Sequence, residues 1–157
     1  MRNLSVNPCF EITGQPLSEL VAFSIAPYDA TAVQQNSFFV NDVPQDLRLL
    51  ANKETFTSIL SKILRITALY GKDSCIRISA KSYHDILLIH IKISDSLNAM
   101  SVMPQLESLR LQAKKLAGFL DITSVRSKVT TISFTLLNSN SSNLISNGWK
   151  MYSETAA

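Results

Sequence analysis

The feature that most constrains this fold is a helical apolar periodicity followed directly by two alternating segments. Between Glu54 and Tyr70 apolar residues recur at spacings of three and four, which predicts an amphipathic helix that Gly71 is well placed to end. Residues 76–80 alternate apolar with polar side chains, and in residues 87–93 an apolar side chain recurs at every second position, as in half-buried strands. The link from Lys81 to Asp85 is short and polar, so we expect a β-hairpin.

Further elements are predicted on the N-terminal side of this unit. A helix is expected to start at Pro16, to be kinked or broken at Pro27 and to resume through Gln35, since proline suits the first helical turn but not the interior. Three short strands are also predicted: Phe10 to Ile12, Ser37 to Asn41 and Leu47 to Leu50.

The segment after the hairpin completes the order. A second helix is predicted to start near Ser101, with Pro104 in its first turn, and to end at Gly118. Strands around 120–122 and 131–136 follow. Antiparallel strand neighbours with helices on one side predict an α+β, two-layer sandwich: a mixed, mostly antiparallel sheet with about three helices on one face.

Length and composition indicate one globular domain. The chain has 157 residues, 46% of them hydrophobic and 17% charged, which is enough to bury a single core. We assign residues 1–137 to this domain and 138–157, which begin with a Ser/Asn-rich run, to a linker and C-terminal tail. No apolar run reaches about 18 residues and no secretory signal is visible, so we expect no membrane insertion and a cytoplasmic location.

Charge and titratable residues exclude several functions. The net charge is +3 and the basic residues are scattered, so we expect no nucleic-acid binding. Cys9 and Cys75 are far apart, which favours two free thiols, although a disulfide stays possible. No metal-ligand cluster and no catalytic triad can be assembled. His84, which is followed by Asp85, is expected in a tight turn between strands.

Three stretches of the chain, in this order, resemble segments of the catalytic and ATP-binding domain of sensor histidine kinases, a member of the GHKL ATPases. They are FFVNDVPQDLRLLANKETFTSILSKILRITALYG (38–71), DILLIHIKISDSLNAM (85–100) and LRLQAKKLAGFLDITSVRSKVTTISFTLL (109–137). The resemblance covers about Phe10 to Leu137. It implies the ATPase fold, with the long helix as the N-box helix and the strand ending at Asp95 leading into the first glycine box.

The resemblance also implies which positions would bind nucleotide, and most of them have changed. Two N-box asparagines, one of which binds Mg²⁺ in the family, match Lys62 and Ile66 here. Isoleucine cannot ligate a cation that requires oxygen donors, and lysine could at most touch a phosphate. Asp95 matches the aspartate that contacts adenine and is retained as a vestigial position, although a solvated strand-end residue is the alternative. Leu97 and Ala99 replace the glycines of that box.

The phosphate-binding part is also reduced. Only eight residues, 96–103, separate Asp95 from Pro104, where the family has a long lid. The nearest match to the second glycine box contains Glu107, which is expected to place a carboxylate near the phosphate site. Losing the metal ligand and two or three phosphate contacts would cost about 5 kcal/mol, several thousandfold in affinity.

Three functions remain consistent with the sequence. The one we favour is a degenerate, non-catalytic domain, without a cofactor and with no catalytic residues, that contacts a kinase dimerisation domain or a response regulator in two-component-type signalling. The helical hairpin that carries the phospho-accepting histidine is absent from the sequence, so we expect no autophosphorylation by this chain alone. The alternatives are a divergent protein-histidine kinase domain that still binds Mg-ATP weakly, and an unrelated α+β binding module.

Overall fold

The computed structural model of the protein describes residues 14–94, 99–125 and 129–139, without the side chains of 99–101. The helices are α1 (Leu17–Ile25), α2 (Asp29–Gln34), α3 (Lys53–Tyr70) and α4 (Ala99–Ala113). The strands are β1 (Gln15–Pro16), β2 (Phe38–Asn41), β3 (Arg48–Leu49), β4 (Cys75–Tyr83), β5 (Ile86–Ile93), β6 (Phe119–Val125) and β7 (Val129–Leu137). The strand predicted at Phe10 to Ile12 lies outside the described residues.

The main sheet has five strands in the order β2-β4-β5-β7-β6. Strands β2 and β4 are parallel, and the other neighbours are antiparallel. Strands β1 and β3 form a separate antiparallel pair. The prediction of a mixed, mostly antiparallel sheet is therefore confirmed.

One face of this sheet is buried beneath the helices. The alternation predicted for β4, β5 and β7 points every second side chain into one core, which also contains apolar side chains of α1, α3 and α4. At its centre Phe56 of α3 stacks on Phe134 of β7, with ring centroids 5.8 Å apart and planes at 12°. Such pairs stabilise a core beyond the area they bury. The predicted α+β two-layer sandwich, with helices on one face, is confirmed.

The hairpin between β4 and β5 is tighter than predicted. The strands extend to Tyr83 and Ile86, so only His84 and Asp85 form the turn. His84 has a φ of 53°, a left-handed conformation that histidine tolerates better than β-branched residues do. This confirms the prediction of a turn histidine.

The first helical segment is interrupted at Pro27, as expected. A 3₁₀ turn at Ala26–Tyr28 separates α1 from α2. The hydroxyl groups of Tyr28 and Ser61 lie 2.8 Å apart, so this interruption also ties the segment to α3.

Helix α3 is bounded by local hydrogen bonds. The side-chain oxygen of Asn52 accepts a hydrogen bond from the Thr55 amide at 2.8 Å, which satisfies one of the free amides of the first turn. At the other end the Gly71 amide donates to the Thr67 carbonyl at 2.9 Å. The helix predicted for Glu54 to Tyr70 is thus confirmed, with Lys53 as its first residue.

Helix α4 differs from its prediction at both ends. It begins at Ala99 rather than near Ser101, so Pro104 lies inside the helix and not in its first turn. It ends at Ala113 and continues as a 3₁₀ turn, Lys114–Leu116. The left-handed residue after this turn is Ala117, with a φ of 51°, and not Gly118.

Gly118 is needed for a different reason from the one predicted. A Cβ atom at this position would lie 2.1 Å from the Thr135 carbonyl oxygen and 2.9 Å from the Leu136 Cα. Only glycine therefore allows the chain to pass this close to β7. The Gly118 amide donates to the Ala113 carbonyl at 3.1 Å, which closes the end of the helix.

Asn138 joins the end of β7 to the approach to α3. Its side-chain oxygen accepts from the amides of Leu50 (2.7 Å) and Ala51 (3.2 Å), and its side-chain nitrogen donates to the Arg48 carbonyl (2.9 Å). Contacts of the folded domain thus reach one residue past the proposed boundary at 137. Residues 140–157 are outside the described residues, and the division into domain and tail stays a prediction.

Candidate functional site

A cleft of about 360 Å³ lies between α3 and α4, on the helical side of the sheet. Helix α3 contributes one wall and the middle of α4 the other. The side chains that line it are Lys62, Arg65, Ile66, Pro104, Gln105, Ser108 and Leu109. The structure therefore brings together the two N-box positions, Lys62 and Ile66, and part of the segment matched to the second glycine box.

The two N-box positions differ in burial. Lys62 is exposed, and its Nζ lies 3.4 Å from Oε1 of Gln112 on α4, at the limit of a hydrogen bond. Ile66 lies one turn later on the same side of α3, is only 3% exposed and belongs to the hydrophobic core. The position matched to a metal-binding asparagine is thus occupied by a core side chain.

The donor set of the cleft does not fit Mg²⁺. Among the described side chains that line it, only Gln105 and Ser108 carry oxygen atoms, and neither is a carboxylate. A hard cation takes oxygen ligands, usually including one or two carboxylates, and it would be repelled by Lys62 and Arg65. Elsewhere in the described part of the chain, no three His, Cys, Asp or Glu side chains are grouped as metal ligands would be.

One side of the cleft is bridged by a polar contact that the sequence did not reveal. The Gln105 amide nitrogen donates to the Tyr70 hydroxyl at 3.1 Å, which joins the last turn of α3 to α4. Tyr70 was predicted only as part of an apolar face. Its partner lies 35 positions further along the chain, so no short-range pattern in the sequence indicates this contact.

The cleft is electropositive, which corrects one expectation. Glu107 does not line it, because both of its carboxylate oxygens accept from Arg110, at 2.9 and 2.7 Å. Arg110 also donates to the Leu120 carbonyl at 3.1 Å, which draws this pair toward β6. Residues 105, 108 and 109 face the cleft, whereas residue 107 is about 160° around the helix from residues 105 and 109. The prediction of a carboxylate near the phosphate site was therefore wrong.

The connection from the sheet to α4 is short. Strand β5 ends at Ile93 and α4 begins at Ala99, which leaves only residues 94–98 between them. Asp95 and Leu97 lie outside the described residues, as does the side chain of Ala99. The vestigial adenine contact at Asp95 therefore stays a prediction.

Chemically, the described side chains of this cleft can attract an anion. They supply two cations, one hydroxyl and one amide above an apolar base of Ile66 and Leu109. They include no carboxylate, histidine or thiol that could serve as a general base or nucleophile.

The chain has the histidine-kinase-like (GHKL) ATPase fold, as its likeness to solved structures shows. No protein-family model and no curated protein sequence matches the chain. Solved structures do match. The chain is similar to the Acinetobacter baumannii histidine kinase AdeS (TM-score 0.68, 8% identity), over 78% of this chain and 65% of that one.

Two further structures extend the comparison. The catalytic domain of histidine kinase ThkA has a TM-score of 0.68 at 14% identity, covering 83% of this chain and 99% of that domain. The structure of ThkA in complex with the response regulator TrrA matches with a TM-score of 0.63 at 14% identity. This match covers 82% of this chain and 42% of ThkA. At these identities the likeness is one of fold. The chain therefore shares with these structures a three-dimensional fold and not merely the order of its elements.

Proposed function

We propose that the protein is a degenerate, non-catalytic histidine-kinase-like domain that acts through protein contact in two-component-type signalling. The observation that carries the proposal is the burial of Ile66, 3% exposed, at the position matched to a metal-binding asparagine. A side chain without oxygen cannot bring Mg²⁺ to the nucleotide phosphates.

The connection before α4 supports the same proposal. Residues 94–98 contain no glycine and are too few to form the long lid that encloses the phosphates in the family. Losing the metal ligand and two or three phosphate contacts would cost about 5 kcal/mol. Since every 1.4 kcal/mol is about tenfold, a micromolar nucleotide site would become millimolar.

The partner we propose is a response regulator or a kinase dimerisation domain. The support is that ThkA, whose fold this chain shares, was solved in complex with a response regulator. A domain that has lost its nucleotide site can keep a surface for protein contact. We also propose that the protein works in the cytoplasm. None of the helices among the described residues combines the length and apolar character needed to cross a bilayer.

One observation favours a second candidate, a divergent domain that still binds Mg-ATP. The α3–α4 cleft keeps about 360 Å³ and two positive charges, Lys62 and Arg65. That volume is at the small end of the range for ligand pockets. Residual nucleotide binding there would depend on the phosphate charge more than on a bound metal.

A calorimetric titration separates the two candidates. ATP is titrated into the full chain once with Mg²⁺ and once with EDTA, and melting temperatures are recorded under both conditions. We expect no saturation below the millimolar range and no difference between the two conditions. A dissociation constant below about 100 μM, in either condition, would refute the proposal and establish the second candidate.

The protein contact needs its own measurement. The full chain is mixed with purified response regulators and histidine-kinase dimerisation domains from the same cell, and binding is followed by calorimetry without nucleotide. We expect saturable binding to at least one of them. Failure of every pair to bind would contradict the proposed role while leaving the nucleotide result intact.

A further inference from the structure

A second cleft, of about 300 Å³, lies on the opposite face of the sheet from the α3–α4 cleft. It is lined by Cys75, Arg77, Lys92, Ser94 and Val129. These side chains alternate along β4, β5 and β7 with the ones that point into the core. The cleft therefore opens on the sheet face that no helix of the described residues covers, away from the remnant of the nucleotide site.

Two positive charges are paired across the strands that form this cleft. The register places Arg77 of β4 directly opposite Lys92 of β5. Side chains at directly opposite positions have Cβ atoms about 4.5–5.5 Å apart, and like charges there repel each other. A local rule of sheet pairing is thus broken, which is typical of positions kept for function.

Only one of the two cations is compensated within the described structure. Arg77 Nη1 donates to Asp42 Oδ2 at 3.0 Å, between side chains that are 48% and 58% exposed. Among the described residues Lys92 has no ion pair or hydrogen-bonded partner, and its other cross-strand neighbour, Thr131, is uncharged. Because a guanidinium carries five N–H donors, Arg77 can donate hydrogen bonds to Asp42 and to a second acceptor at the same time.

Neutral groups next to the two cations complete the lining. The Cys75 amide donates to Ser94 Oγ at 2.8 Å, so the Ser94 hydroxyl hydrogen stays available to another acceptor. Cys75 itself is a half-buried free thiol. Val129 of β7 supplies an apolar side, which suits an organic group attached to an anion.

We propose that this cleft binds a phosphoryl group, with Arg77, Lys92 and the Ser94 hydroxyl as its donors. A dianionic tetrahedral oxyanion between the two cations would offset their repulsion, and charge-assisted hydrogen bonds from arginine and lysine are the usual means of holding one. The group is either free phosphate or a phosphate ester. The site is independent of the proposed function, since it shares no residue with the α3–α4 cleft.

The test is a two-dimensional ¹H–¹⁵N NMR titration of the full chain with sodium phosphate and, separately, with O-phosphoserine, at constant ionic strength. We expect saturable shifts of the amide signals of residues 75, 77, 92 and 94. Tighter binding of phosphoserine identifies an ester as the ligand, whereas equal affinities identify the free anion. Lys92→Gln should weaken either binding about tenfold, the loss of one charge-assisted hydrogen bond.

Lys81→Gln is the matched control, because Lys81 is exposed on the same face of β4, four residues and about 13 Å from Arg77. It should leave the affinity unchanged. Lys92→Gln should also melt no lower than the native chain in phosphate-free buffer of low salt, since it removes a repulsion. Phosphate should raise the melting temperature of the native chain more than that of the variant.

Several results would overturn the proposal. Two of them are amide shifts that fail to saturate and the same amide shifts with sodium chloride alone. The others are an equal loss of phosphate affinity in Lys81→Gln and Lys92→Gln, and amide shifts confined to residues 62 and 65 of the other cleft.

Discussion

Replacing Ile66 by asparagine tests whether this position still belongs to a metal site or has become part of the core. Ile66 is 3% exposed, and burying such a side chain contributes about 1.5–3 kcal/mol. An amide left without partners in its place costs about 1–3 kcal/mol more. Because Ile66 borders the open cleft, water can reach part of that amide. We therefore expect Ile66→Asn to lower the free energy of unfolding by about 3 kcal/mol.

The assay is urea denaturation followed by circular dichroism, with Lys62→Asn as the control. Lys62 lies one turn earlier on α3 and is exposed, so that substitution should change the free energy of unfolding by less than about 0.5 kcal/mol. Domains of this size are stable by about 5–15 kcal/mol, so both variants should stay folded at room temperature.

The same two variants are then titrated with Mg-ATP. We expect no Mg²⁺-dependent binding by Ile66→Asn, because an asparagine alone restores neither the lid nor the glycines of the phosphate site. A stability loss below about 1 kcal/mol, well under the isoleucine burial alone, would refute the assignment of Ile66 to the core. A gain of Mg²⁺-dependent affinity would show that Ile66 alone prevents metal binding, and it would refute the role given to the missing lid and glycines.

Three further predictions concern contacts that stabilise the fold. Asn138→Ala removes three hydrogen bonds of a half-buried side chain and should lower the free energy of unfolding by about 2 kcal/mol. Asn138→Asp keeps the acceptor and should lower the free energy of unfolding by less. Equal losses of stability in urea denaturation would contradict the assigned geometry. Asn52→Ala removes the N-cap of α3 and should cost about 1 kcal/mol by the same assay, whereas an unchanged midpoint would show that the cap is dispensable. Ala117→Gly should raise the melting temperature, because alanine is strained at a φ of 51° and glycine is not. Gly118→Ala should lower the melting temperature, because its Cβ atom would clash with Thr135. The reverse order of melting temperatures by calorimetry would refute this account of the helix end.

Much of the fold was predictable because its signals are local. The three- and four-residue spacing of α3, the alternation in β4 and β5 and the interruption at Pro27 each depend on side chains only a few positions apart. The predictions failed where a segment distant in the sequence determines which side chain a position can accommodate. Gly118 is an example: the sequence suggested only that a helix ends there, but the close approach of Thr135 is what requires a glycine.

The candidate site was predictable only in part. The pairing of Lys62 and Ile66 on one side of α3 follows from helical periodicity, and the structure confirms it. The orientation of Glu107 did not follow, because it depends on Arg110 reaching β6. The bridge from Tyr70 to Gln105 joins residues 35 positions apart and had no local signal.

The sequence by itself determined the types and order of the elements, and it determined that an isoleucine stands where a metal ligand is expected. These properties are fixed by residue chemistry and short-range periodicity. The tertiary structure decided which side chains share a cleft: Lys62 and Arg65 with Ser108 on one face of the sheet, and Arg77 with Lys92 on the other. Strand register and helix rotation bring these charges together, and both are set by the packing of the common core rather than by any one segment.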